Sequence, residues 1–130
     1  NFFIMVGPGS PSLLSNVLVS IEDHADFIRD LITHMDENGY DEVEASSKSE
    51  SDWVEHVNER SKETLYAKAK SFYMGDEIPG KPHVFMPYSG GVRGYRRILK
   101  DVADADYQGF NFRSKDKRSQ SDLKRKGVLK

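Results

Sequence analysis

The residues with the clearest capacity for chemistry stand near the front of the chain, in the run Gly7-Pro8-Gly9-Ser10-Pro11-Ser12. A glycine-rich turn after an apolar segment and before a helix is the setting of a dinucleotide-binding fingerprint. The pattern fails here, because Ser12 takes the place of the third glycine and Pro8 and Pro11 remove amide donors. A pyrophosphate cradle is therefore rejected. What remains is a long helix whose N-terminus emerges from the end of an apolar strand, where α/β folds put ligands and where negative charge is favoured. An ordinary strand-to-helix connection accounts for the same residues.

Other reactive side chains point to little chemistry. His24, His34, His56 and His83 include no pair at the three-to-five-residue spacing that sets two imidazoles on one helix face, so no metal site is expected. Ser10, Ser12 and Ser15 lack a Gly-x-Ser-x-Gly elbow and suit helix capping. Asp23/Asp26 and Glu42/Glu44 fall on polar faces or loops, where solvation explains them. Phe72-Tyr73 precedes a loop rich in glycine and proline and reads either as a ligand-facing pair or as a core anchor.

Periodicity indicates the elements that must position these residues. Phe2 to Val6 is a short apolar run ending at Gly7, the signature of a buried strand. Ser10 and Pro11 suit the opening of a helix. Leu14, Val17, Leu18, Ile21, Ala25, Ile28, Leu31, Ile32 and Met35 then recur at spacings of three and four up to a stop at Asn38-Gly39. A second helix is expected from Ser49 or Ser51 to about Lys70, through Trp53, Val57, Ser61 and Leu65. Residues Met74 to Pro82 read as a loop, Val84-Phe85-Met86 as a short strand, Pro87 to Gly94 as a turn, and Tyr95 to Asp104 as a third helix. The fold class is α/β. Two strands with three helices cannot alone close a two-sided α/β sheet, because a parallel strand without partners leaves its backbone groups unpaired, so the rest of the sheet is expected to lie elsewhere.

Composition bounds the function. The 130 residues allow one modest core, with 37% hydrophobic and 31% charged residues. No run of apolar residues is long enough for a membrane span. The chain lacks cysteine, which excludes disulfides and thiolate metal sites and favours a cytoplasmic setting. The start at Asn1, inside an apolar segment, suggests truncation. From Arg113 onward eight Lys/Arg face two Asp/Glu, giving residues 113–130 the look of a disordered basic tail. Contact with nucleic acid or anionic lipid is a weaker alternative to a solvated tail.

An ordered series of segments resembles the final part of the Baeyer–Villiger monooxygenases of the phenylacetone and cyclohexanone monooxygenase type. It runs through Asn1-Phe2-Phe3, Gly7-Pro8-Gly9-Ser10-Pro11-Ser12, Leu14-Ser15-Asn16, Val19-Ser20-Ile21-Glu22 and His24. It continues with Trp53-Val54-Glu55-His56-Val57-Asn58, Glu63-Thr64-Leu65-Tyr66, Pro79-Gly80-Lys81-Pro82, Val84-Phe85-Met86, Gly90-Gly91 and Tyr107-Gln108-Gly109-Phe110. The likeness covers about residues 1–110.

The resemblance implies the C-terminal part of a Rossmann-like FAD-binding domain, over residues 1–112, in an enzyme that uses FAD, NADPH and O2 to turn ketones into esters or lactones. It implies that backbone amides near Asn16 and Val17 meet the flavin pyrimidine ring, where a positive helix end would stabilise negative charge on the reduced flavin. Val6, Pro11, Leu14 and Val17 would line the ketone pocket. Phe72 and Lys81 would belong to a loop near residues 71–82 that folds over NADP and substrate. The family usually has Ser-Trp-Tyr where this chain has Ser71-Phe72-Tyr73, so an indole N–H donor is missing. Asp76-Glu77 adds like charge beside a cofactor that carries phosphates. The family's FAD and NADP fingerprints and its active-site arginine have no counterpart here. The remaining FAD- and NADP-binding domains are the expected partners, and the chain alone is expected to be inert. A free-standing helical interaction module, or a truncated paralogue, is the rival reading.

Overall fold

A computed structural model describes residues 1–11, 15–68, 72–75, 78–80 and 84–114. Three α-helices and one two-stranded sheet form the frame: α1 (Val17–Asn38), β1 (Glu42–Ala45), α2 (Ser47–Lys62), α3 (Gly91–Asp104) and β2 (Phe110–Arg113). Two 3-10 turns, Leu65–Lys68 and Phe72–Met74, lie between α2 and α3.

Helix α1 opens at Val17, not near Ser10. Asn16 caps it, its side chain accepting from the Leu18 N–H at 3.0 Å. Ser10 instead turns its hydroxyl back onto the Gly7 carbonyl. The helix ends as expected at Gly39, whose φ of 66° is the left-handed cap that glycine adopts freely. Helix α2 begins at the Ser46 cap, ahead of the expected Ser49 or Ser51. It stops at Lys62, and Leu65 belongs to a 3-10 turn with its side chain in solvent. Helix α3 begins at Gly91, inside the expected turn, and ends at Asp104 as read from the sequence.

The strands correct the expectation. Phe2 to Val6 is not a buried strand; Phe2, Ile4 and Met5 are exposed, and among the described residues no strand lies alongside to bond its backbone. Val84-Phe85-Met86 forms no strand either, although Val84 and Met86 donate backbone bonds to Met74 and Tyr73 at 3.2 and 3.1 Å. The sheet lies elsewhere. Strands β1 and β2 pair antiparallel in the register Val43–Phe112 and Ala45–Phe110, so Arg113, expected in the tail, is a sheet residue. The rest of that tail, residues 115–130, lies outside the described residues.

Two clusters hold the frame. The larger core, Leu31, Met35, Val43 and Tyr107, is flanked by Phe3, Phe27, Tyr40, Val102, Phe110 and Phe112, and it fixes the far end of α1 to the sheet. A second, aromatic cluster joins Trp53 and His56 of α2 to Tyr88 and to Tyr95 of α3, with ring centroids 5.4–6.0 Å apart. It lies against the near end of α1 through His24, whose ring meets Tyr95 edge-on at 5.5 Å.

Candidate functional site

Four of the expected site residues lie along the first turns of α1 or in the segment before it. Val6 and Pro11 belong to the turn that leads into the helix, Asn16 is its cap and Val17 its first residue. The first N–H groups of a helix have no partner within it. Asn16 satisfies that of Leu18, which leaves its neighbours to meet an acceptor. This end is open, with Val17 40% and Leu18 65% exposed. The side-chain oxygen of Ser15 is buried beside it, with no partner among the described residues. Leu14 and Lys81 lie outside the described residues, as does Asp76-Glu77.

The turn before the helix is held from several sides. Gly9 donates to the Met86 carbonyl at 2.7 Å and Tyr88 donates to the Ser10 carbonyl at 3.0 Å, so residues 86–88 brace the turn. Ser20 donates its hydroxyl to the Pro11 carbonyl at 2.7 Å. Gly9 has φ +80°, and a Cβ there would lie 2.5 Å from Trp53 Nε1, so the backbone lies directly on the indole. Val6 has φ 55°, an uncommon state for a β-branched residue. Its N–H donates to His24 Nδ1 at 3.0 Å, while His24 Nε2 is 2.8 Å from the Tyr95 hydroxyl.

The electrostatics follow from burial. His24 titrates below its ordinary 6.5 because burial disfavours the imidazolium, with the Asp23 carboxylate pulling the other way. Burial, then Asp23 and Tyr88, push the Tyr95 hydroxyl up to about 12. Asp23 accepts both contacts of Arg96 Nε at 2.8 Å, an ion pair that joins α1 to α3. Glu42 and Glu44, expected as solvated carboxylates, both face Arg113.

Phe72 is 73% exposed and meets Tyr73 edge-on at 5.6 Å, so it is no core anchor of this chain. Backbone bonds link its segment to the turn before α1: Tyr73 accepts from Met86, and Met86 accepts from Gly9. Two surface grooves, one along the β1–β2 sheet and one between α1 and α3, contain none of the expected site residues. Among the described residues no group of three or more histidine and acidic side chains could hold a metal, and no helix is long and apolar enough to cross a membrane.

The sequence reading missed His24, Trp53, Tyr88 and Tyr95 as supports of the turn. The signal was the stripe of α1 itself: the buried positions are Ser20, His24, Leu31 and Met35, whereas Leu18 and Ile32 face solvent. Polar residues are buried near the start of the helix because the neighbour there is a turn with hydrogen-bonding groups to satisfy.

No family model matches the chain. A Baeyer–Villiger monooxygenase of Pseudooceanicola batsensis is 36% identical over 107 residues, 82% of this chain and 19% of that protein. The chain is homologous to a segment of the Baeyer–Villiger monooxygenases. A phenazine N-monooxygenase of Lysobacter antibioticus is also 36% identical, over 85% of this chain and 20% of its own length. An oxidised steroid monooxygenase solved bound to NADP superposes with a TM-score of 0.74 at 37% identity, over 83% of this chain and 19% of that one. The segment thus spans about a fifth of the length of the monooxygenases it matches.

Proposed function

We propose that this Baeyer–Villiger monooxygenase segment forms one wall of the flavin and ketone site of an FAD- and NADPH-dependent enzyme, within the C-terminal part of a Rossmann-like FAD-binding domain. The observation that carries the proposal is the open first turn of α1 beside the braced Val6–Pro11 turn, in a chain 36% identical to a Baeyer–Villiger monooxygenase. The residues fit an acceptor-rich ring: the first-turn amides near Asn16 and Val17, a Ser15 hydroxyl without a partner among the described residues and the positive end of a 22-residue helix. FAD, when bound, supplies the oxygen chemistry, which with NADPH and O2 places one oxygen atom beside a ketone carbonyl. The chain's own residues bind and orient. Val6, Pro11 and Val17, with Leu14, supply apolar lining, and Phe72 and Lys81 lie towards NADP. The FAD and NADP fingerprints and the active-site arginine come from the rest of the protein, in a cytoplasmic setting.

The test is the full-length protein assayed with NADPH against cyclic, aryl and linear ketones, with product identified by mass. Ester or lactone formed in proportion to NADPH consumed is the expected result. The phenazine N-monooxygenase relative favours a second reading, N-oxygenation of an aromatic heterocycle. N-oxide from such a substrate, with no ester from any ketone, would move the proposal to it.

Phe72 offers a narrower test in the same enzyme. Because Phe72 is exposed here, Phe72→Ala should change thermal stability by no more than about 0.5 kcal/mol. Its NADPH KM should nevertheless rise, and coupling of NADPH oxidation to product should fall. Phe72→Trp restores an N–H donor and should improve KM or coupling by roughly 1 kcal/mol, the value of one neutral hydrogen bond. Kinetics of Phe72→Ala indistinguishable from the parent enzyme would remove Phe72 from the site.

A further inference from the structure

We propose that His24 is a positioning residue for the Val6–Pro11 turn: its neutral imidazole holds the turn in place, and protonation of the ring releases it. The inference rests on the reading of that turn as ketone lining.

Val6 sits at φ 55°, and a β-branched residue stays there only where its surroundings over-determine it. The contact that does so is with His24: the Val6 N–H donates to His24 Nδ1 at 3.0 Å. Because Nδ1 accepts, the single proton of the neutral ring must be on Nε2, which donates to the Tyr95 hydroxyl at 2.8 Å. A second proton would go onto Nδ1 and set one donor against another. The clamp would then be lost.

The groups around the ring set where this happens. On its own helix Asp23 favours the charged ring, but that carboxylate is engaged by Arg96 of α3. From α3, Tyr95 presents a neutral hydroxyl. Trp53 of α2 and the neutral Tyr88 both pack on Tyr95, while His56 stacks on Trp53 and Tyr88 farther out. Residues Phe2 to Val6 bring no charged side chain. Burial prevails, so the clamp is intact above 6.5 and is lost as pH falls below that value and through the lowered folded-state value.

The experiment uses the full-length enzyme with FAD bound. Hydrogen exchange at the Val6 amide is read as a protection factor from pH 8 to pH 5 in the parent, His24→Asn and His24→Phe, beside the ketone KM and kcat. In the parent, Val6 protection should be steady down to neutral pH and then fall about five- to tenfold, with ketone KM rising in step. His24→Asn offers an acceptor oxygen that does not titrate, and should keep protection and KM flat with pH. His24→Phe should lose protection throughout and raise KM, with kcat at saturating ketone within about twofold of the parent. Undiminished Val6 protection in His24→Phe, or the parent's pH dependence persisting in His24→Asn, overturns the proposal whatever the activity. Protection that behaves as expected with a KM that does not follow would instead overturn the reading of the turn as ketone lining.

Discussion

Phe85→Ala is expected to destabilise the fold by about 3–5 kcal/mol, the range for removing a large aromatic side chain from a packed interior. Phe85 is 1% exposed and stacks on Tyr66 at 5.1 Å. Its neighbours in sequence, Val84 and Met86, make the backbone bonds that hold Met74 and Tyr73. The cavity would therefore open beneath both the Phe72 segment and the residues that brace the Gly7–Pro11 turn. Denaturant unfolding of the full-length protein, followed by flavin release, measures the effect. Leu65→Ala serves as control, because that side chain is exposed and its loss should cost no more than about 0.5 kcal/mol. A loss below about 1 kcal/mol for Phe85→Ala would mean that the segment is not anchored as described.

Gly9→Ala should be nearly as damaging, and its damage should fall on the site. A left-handed backbone costs an L-residue about 1–2 kcal/mol. The new methyl would also lie 2.5 Å from Trp53 Nε1. Either the turn lifts or the indole leaves its stack with Tyr88 and His56, at an overpacking cost of about 1–3 kcal/mol. Together these amount to about 2–5 kcal/mol, with reduced flavin retention and loss of ketone turnover. A double-mutant cycle separates the two contributions. Trp53→Leu combined with Gly9→Ala should recover the steric part and leave the backbone part. No coupling between the two substitutions would show that turn and indole do not touch.

The long helix was legible because sustained apolar periodicity and the Asn38-Gly39 stop agree, and the end of α3 because its apolar spacing stops there. The start of α1 was not, since Ser10-Pro11 satisfies the same opening rules as Asn16, and only the turn's own hydrogen bonds decide between them. Strand β2 carried a readable alternation, with Phe110 and Phe112 against Asn111 and Arg113, but four residues beside a basic stretch gave a weak signal. Strand β1 had less still, one buried valine among acidic neighbours. Phe2 to Val6 misled because apolar composition reports a preference for burial and says nothing of whether a neighbouring strand is at hand. At the site, Val6, Pro11, Asn16 and Val17 came from family resemblance; Asn16 and Val17 open α1, and the Val6–Pro11 turn lies against it through His24 and Ser20. His24 escaped because a histidine within an apolar helical stripe looks like an interruption of the pattern, whereas its ring nitrogens are what that position requires.

The pairing of β1 with β2 has a consequence for how the chain folds. Residues 42–45 meet residues 110–113, so helices α2 and α3 and everything between them lie inside the loop that this pairing closes. Closing a long loop costs entropy before any strand contact offsets it, and two four-residue strands offer little in return until Leu31, Met35 and Tyr107 are packed beneath them. The sheet should therefore be a late event, forming on helices that have already met. In a refolding trajectory its amides would gain protection last, after those of α1 and α3, and on unfolding it would be among the first elements to open.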